Sequence, residues 1–204
     1  MLNSHPMQRI AGPVGGLDTL IVAPQDVPRG VAVVCHPNPL QGGTNTNKVV
    51  QTCAKALASR GYVAYCPNLR GVGGSDGEHD HGHGEVDDVL AVVAQARADH
   101  GPLPLVLAGF SFGGFVAAHA RQRIDSEHLI LMGPAVGKYE TPIPAEVPVD
   151  TLVVHGEADE VIPLGAVLDW ARPQALPVVV FPGAGHFFHG RLVPLGRLIA
   201  RHVG

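Results

Sequence analysis

Cysteine is scarce in this chain: three in 204 residues, an odd number with no C-x-x-C pair. That argues against a disulfide framework and against a structural zinc site. Cys35 and Cys66 each end a β-like run and Cys53 lies in a helix-like one, so all three are expected as buried free thiols. Cys35 beside His36 is not read as a nucleophile pair, because neighbours on a strand point to opposite faces. Aromatic residues make up only 5%. No apolar run approaches the length of a membrane span, and Met1 to Ile10 lacks a basic segment followed by an apolar one, so a cytoplasmic location without membrane association is expected. An excess of basic charge is also missing. The formal net charge is −4 and the isoelectric point near 6.3, which leaves no electrostatic footprint for nucleic acid.

What is present is an alternation. Strand-like pieces at Leu20–Ala23, Val31–Cys35, Val63–Cys66, Leu105–Phe110, Leu129–Met132, Thr151–His155 and Val178–Phe181 are separated, from the second onward, mostly by helix-like segments. Those segments lie near Asn47–Arg60, Glu85–His100, Phe112–Arg123, Leu164–Arg172 and His189–His202. Short apolar runs between amphipathic helices predict an α/β fold, with a mostly parallel central sheet and helices on both faces. The opening segment, with Gly15-Gly16, reads as an antiparallel hairpin at the sheet edge. A hydrophobic fraction of 46% over this length fits one domain spanning residues 1–204.

The junction Gly109-Phe110-Ser111-Phe112-Gly113 follows an apolar run and opens a helix-like stretch. A tight strand-to-helix turn there would lift the Ser111 hydroxyl clear of the sheet, and its flanking glycines would relieve crowding. The rival readings are a glycine-rich helix entry or an anion-binding helix N-terminus; a Walker-type loop would need a Gly-Lys-Ser/Thr that is missing. An acid and a histidine decide the matter. Thr151–His155 runs into Gly156-Glu157-Ala158-Asp159-Glu160, and Val178–Phe181 runs into Pro182-Gly183-Ala184-Gly185-His186. Both candidates fall past the C-terminal ends of successive strands, the edge where open parallel sheets build their sites. The order Ser111, Asp159, His186 is that of the α/β-hydrolase fold. His186 would take the serine proton and later return it to the leaving group, while Asp159 would hold the imidazole tautomer. Glu157 and Glu160 are rivals to Asp159. His189, placed at the start of the last helix, is the rival to His186.

The segment His36-Pro37-Asn38-Pro39-Leu40-Gln41-Gly42-Gly43-Thr44 stands where this fold supplies one oxyanion-hole amide, the other coming from Phe112. Prolines have no N–H to give, which leaves the backbone of Asn38 or of Leu40. With it, Asn47-Lys48-Val49-Val50, Asn68-x-Arg70-Gly71-Val72-Gly73-x-Ser75, Gly84-Glu85-x-x-Asp88 and Gly185-His186-Phe187-Phe188-His189-Gly190 resemble a family of small bacterial α/β hydrolases without a lid, usually described as predicted esterases. The resemblance runs along nearly the whole chain and implies a Ser-Asp-His triad at Ser111, Asp159 and His186. It implies no particular physiological substrate. Asn38 and Gln41 stand where members of that family often carry other residues.

The connection from Gly133 to Asp150 is short and proline-rich, so no cap domain and an open, shallow pocket are expected. The expected activity is that of a carboxylesterase-type serine hydrolase acting on a small ester or thioester, short-chain acyl groups preferred, through an acyl-enzyme and without cofactor. An acyl-CoA thioesterase, an acyltransferase, a cofactor-free perhydrolase and a non-catalytic binding protein of the same fold are the alternatives. Exposed apolar patches could support a homodimer. His79-Asp80-His81-Gly82-His83 contains metal-ligand residue types, yet glycines interrupt the run, and incidental surface histidines are preferred to a metal site. Arg70 is read as a structural ion-pair partner of Glu85 or Asp88, rather than a contact for an acidic substrate.

Overall fold

The alternation predicted from Val31 onward closes into one eight-stranded sheet in a computed structural model that describes residues 6–204. Residues 1–5, which open the stretch read above for a leader, lie outside the described residues. The strands are β1 (Met7–Gly12), β2 (Gly15–Val22), β3 (Gly30–Cys35), β4 (Tyr62–Pro67), β5 (Leu105–Phe110), β6 (His128–Met132), β7 (Leu152–Gly156) and β8 (Val178–Phe181). Their order across the sheet is β1-β2-β4-β3-β5-β6-β7-β8. β1 pairs antiparallel with β2, and β2 antiparallel with β4, while every pairing from β4 to β8 is parallel.

Helices α1 (Lys48–Ala58), α2 (His83–His100), α3 (Phe112–Arg121), α4 (Leu164–Ala171) and α5 (Leu192–His202) cover both faces. Successive strand side chains alternate between two cores, as the pleat requires. Val31, Val33, Cys35, Leu105 and Leu107 face α2, α3 and α4. Ala32, Val34, Val106, Ala108 and Phe110 face α1 and α5. All three cysteines are buried free thiols, and burial pushes the Cys35 thiol up to about 12. The Gly133–Asp150 connection carries neither helix nor strand, so no cap covers the C-terminal edge of the sheet.

Three boundaries differ from the sequence reading. The edge hairpin turns at Pro13-Val14, and Gly15 and Gly16 open β2 instead of forming the turn. Helix α2 begins at His83, where the Glu85 carboxylate reaches back to accept the N–H groups of Asp80 and Gly82, each at 2.8 Å, satisfying donors that a new helix leaves unpaired. The last helix begins at Leu192, not His189. Phe188 at φ 51° and Gly190 at φ 71° are left-handed, which keeps His189 between them out of the helix.

Candidate active site

Ser111 sits between the end of β5 and the first turn of α3 with φ 55° and ψ −115°, a backbone state that costs a non-glycine residue about 1–3 kcal/mol. The two motif glycines show why the turn can be so sharp. A side chain at Gly109 would run into the backbone of Gly113, and one at Gly113 into the backbone at Cys35 and His36. Helix α3 therefore enters directly against the ends of β5 and β3. A serine at a helix N-cap ordinarily spends its hydroxyl on an N–H of the first turn, but the Ser111 side chain makes no such bond. Its oxygen is left for other chemistry.

Asp159 and His186 meet beside this turn. His186 Nδ1 lies 2.7 Å from Asp159 Oδ2, and both side chains are almost fully buried, at 5% and 0% exposure. The other carboxylate oxygen accepts the N–H groups of Val161 (2.9 Å) and Ile162 (2.8 Å). Burial works against the Asp159 charge, yet the His186 hydrogen bond, the Ile162 N–H and the two nearby imidazoles outweigh it and hold the carboxyl below the usual aspartate value. An ionised Asp159 makes Nδ1 the protonated nitrogen of His186 and leaves Nε2 as an acceptor. The His186 ring packs 4.9 Å from the ring of Phe110 and lies against Gly133. The Ser111 N–H donates to Met132 O at 2.9 Å, one residue before Gly133, so serine and histidine share this corner of the sheet.

The rivals stand elsewhere. Glu157 is exposed and accepts the Gly183 N–H at 2.8 Å. Glu160 is exposed. His189 lies in the turn before α5.

The loop after β3 forms a short 3-10 turn at Pro39–Gln41 whose N-cap is Asn38. Asn38 Oδ1 accepts the Leu40 N–H at 2.8 Å, so that donor is engaged. Among the described residues the backbone N–H groups of Asn38 and Phe112 make no hydrogen bond. Two amides are therefore unspent, one in the loop after β3 and one on the residue after the serine. Asn38 Nδ2 also donates to the Tyr139 hydroxyl at 3.3 Å.

The sequence reading missed Tyr139. It comes from the lidless connection and packs on Phe112 and Phe115, with ring centroids 5.4 and 4.9 Å away. Burial pushes its hydroxyl up to about 12. The connection thus supplies one wall of the site although it builds no lid, and Ser111 is 7% exposed, less open than expected. The one signal for it is an aromatic ring within a proline-rich stretch of a chain poor in aromatics. A hollow of about 360 Å³ opens beside Tyr139, lined also by His81, His83, Lys138, Glu140 and Thr141. His155, also missed, is fully buried at the end of β7, with Nε2 2.8 Å from Ile162 O and 3.4 Å from Asp159 Oδ2. Burial pushes its imidazole pKa down.

The loop after β4 is structural support. Arg70 binds Asp88 through its side chain at 3.0 and 2.8 Å and through its backbone N–H at 2.9 Å, so its guanidinium is committed to that ion pair. His79 corrects the reading of a surface histidine run. Its side chain is 10% exposed, lies 2.6 Å from Glu85 and packs on Phe112 with centroids 5.2 Å apart. His81 and His83 stay exposed. No cluster of three or more His, Cys, Asp or Glu fit to hold a metal occurs among the described residues.

A mostly parallel sheet without a cap, and a serine turn on its central strand, define an α/β hydrolase. Residues 26–147 match the Hydrolase_4 family, described as serine aminopeptidase, S33, and the chain belongs to that family. The chain is also similar to solved structures of two bacterial proteins. One is an α/β serine hydrolase without lid, XC6422 from Xanthomonas campestris, at 35% identity and a TM-score of 0.87, covering 100% of this chain and 95% of that one. The other is an α/β serine hydrolase homologue from Coxiella burnetii, at 37% identity and a TM-score of 0.86, covering 100% and 99%. A monoacylglycerol lipase of Mycolicibacterium smegmatis is 28% identical over 73% of this chain, which spans 54% of the lipase's length. The protein is a hydrolase of this family. Among the described residues no helix is long and apolar enough to cross a membrane.

Proposed function

We propose that this protein is a carboxylesterase-type serine hydrolase that cleaves a small carboxylic ester or thioester through an acyl-enzyme. The observation that carries the reading is the buried His186–Asp159 hydrogen bond at 2.7 Å beside a serine whose hydroxyl is withheld from helix capping. Ser111 Oγ attacks the carbonyl carbon as its proton passes to His186 Nε2. The charge that develops on the carbonyl oxygen is held by the N–H groups of Phe112 and Asn38. Collapse of the tetrahedral intermediate breaks the bond to the leaving group, which takes the proton from His186. Water then attacks the acyl-enzyme with the same histidine as base, and releases the acid. Asp159 stays ionised throughout and stabilises the imidazolium.

The lipase relative supports an ester substrate, and the family description adds aminoacyl amides as a second class on the same acyl-enzyme chemistry. The uncapped edge of the sheet and an aromatic content of only 5% support a small acyl or alcohol group. A fluorophosphonate probe should label the wild type and not Ser111→Ala. In a p-nitrophenyl ester series, kcat/KM should peak at short chains, above acyl-CoA and aminoacyl p-nitroanilide substrates. Labelling of Ser111→Ala would refute the assignment of the nucleophile. A peak at long chains would refute the size argument.

A further inference from the structure

One buried imidazole is left unused by that mechanism, and it touches the peptide unit that carries an oxyanion donor. His36, the residue after β3, is fully buried. Its Nδ1 lies 2.7 Å from Pro37 O, and its Nε2 3.1 Å from the Leu69 backbone nitrogen. The Leu69 N–H can only donate, so Nε2 is the acceptor and Nδ1 carries the proton. His36 therefore donates to Pro37 O. Burial pushes its imidazole pKa down to about 4, so the ring keeps this neutral, one-donor form around neutral pH.

Pro37 O and the Asn38 N–H belong to one peptide unit. It is planar and trans, with no cis bond in the described chain, so its C=O and N–H point in opposite directions. Whatever fixes the carbonyl fixes the aim of the N–H. Gly43 packs closely against the same stretch, where a Cβ would run into Pro37 O, the Pro37 carbonyl carbon and Asn38 O. The remaining polar groups of Asn38 are occupied. Its backbone oxygen accepts N–H groups from Gln41 (3.1 Å) and Gly43 (3.0 Å), and its side chain binds Leu40 and Tyr139. Only its N–H is unspent. A donor on the carbonyl also polarises the amide and strengthens that N–H as a donor.

We infer that His36 is a positioning residue of the oxyanion site: its Nδ1–H, bound to Pro37 O, aims the Asn38 N–H at the reacting carbonyl oxygen. The inference rests on the serine-hydrolase reading above. The competing role is simple anchorage, in which His36 only ties the loop after β3 to the loop after β4 through Leu69.

Two substitutions separate these roles, because an asparagine amide can occupy the Nδ1 position but not that of Nε2. His36→Asn keeps the donor to Pro37 O, His36→Leu loses it, and both leave the Leu69 N–H without its partner. If His36 positions the amide, His36→Leu lowers kcat about 100-fold with KM within threefold, since loss of one oxyanion donor costs about 10²–10³-fold, whereas His36→Asn stays within tenfold of wild type. His36→Gln, whose amide can reach the Nε2 position and not that of Nδ1, keeps a partner for the Leu69 N–H and loses the donor to Pro37 O, so it lowers kcat at least tenfold below His36→Asn. That pair decides the question should His36→Leu not fold. The affinity for a trifluoromethyl ketone, whose adduct places an oxyanion in the site, weakens in parallel with kcat across the variants. Ser111-dependent hydrolysis with equal kcat in His36→Asn and His36→Leu, or with His36→Gln at or above His36→Asn, would overturn this inference alone. Hydrolysis surviving Ser111→Ala would overturn the serine-hydrolase reading and this inference with it.

Discussion

Replacing Asp159 by asparagine alters one functional group and should remove most of the activity. Asp159 Oδ1 accepts two backbone N–H groups, from Val161 at 2.9 Å and Ile162 at 2.8 Å. The amide oxygen of the asparagine must stay there, because an NH2 would oppose both donors. That NH2 then faces His186 Nδ1, the partner that now stands 2.7 Å from Oδ2. Two donors cannot share the contact, so Nδ1 gives up its proton and the imidazole adopts the Nε2–H tautomer. Toward Ser111 it then offers a proton where an acceptor is needed. The same tautomer reversal in a Ser-His-Asp triad costs about 10⁴-fold in kcat, a rise of about 5 kcal/mol in the barrier. The assay is kcat on p-nitrophenyl acetate, with thermal unfolding recorded alongside. Glu157→Gln serves as the control: Glu157 is exposed and accepts a Gly183 N–H, so its kcat should stay within threefold. A well-folded Asp159→Asn within tenfold of wild type would refute the tautomer argument, and an equal loss in Glu157→Gln would refute the choice of acid.

Two further outcomes concern stability. Ser111 holds φ 55° and ψ −115°, so Ser111→Gly should abolish hydrolysis yet stabilise the fold by about 1 kcal/mol, after allowance for the freedom glycine gains in the unfolded chain. The transition temperature should rise by about 2–4 °C, and an unchanged or lower value would contradict the strain. His36 titrates near 4 in the folded protein against about 6.5 when unfolded, so between these values the unfolded chain binds the extra proton. Stability should fall as pH drops from about 6.5 to 4, by about 3 kcal/mol from this residue. His155, whose pKa burial also lowers, acts in the same direction. Urea unfolding of His36→Asn should show a shallower acid limb, and a slope equal to that of wild type would remove His36 as its cause.

Much of this site was legible because its signals are local. The Gly109–Gly113 pattern fixes a steric requirement within five residues, and Asp159 and His186 follow strands that apolar runs announce. The supporting groups were not legible, for a physical reason. The bond from His36 to Leu69 and that from Asn38 to Tyr139 join loops far apart in the chain, and no spacing rule encodes them. The sequence left Asn38 and Leu40 equal as oxyanion donors. The Asn38 side chain engages the Leu40 N–H, which is why the proposed mechanism draws on the Asn38 N–H. His79 was misread because exposure was judged from a polar, glycine-broken neighbourhood, whereas Glu85 and Phe112 draw the ring inward. The helix start at Leu192 was missed because Phe188 gives no residue-type warning of its left-handed backbone.

The order of strands has a consequence for how the protein fails. Ser111 directly follows the central strand β5, which has β3 on one side and β6 on the other. His186 hangs beyond β8, a four-residue border strand whose Val179 is partly exposed and whose partner in the sheet is β7. Borders of a sheet open at lower free energy than its middle. On heating or in mild denaturant, β8 should peel first and carry the imidazole away while the serine turn stays in place. If His186 is the base proposed above, turnover is lost before helical signal, and activity becomes a gauge of fraying at one border of the sheet.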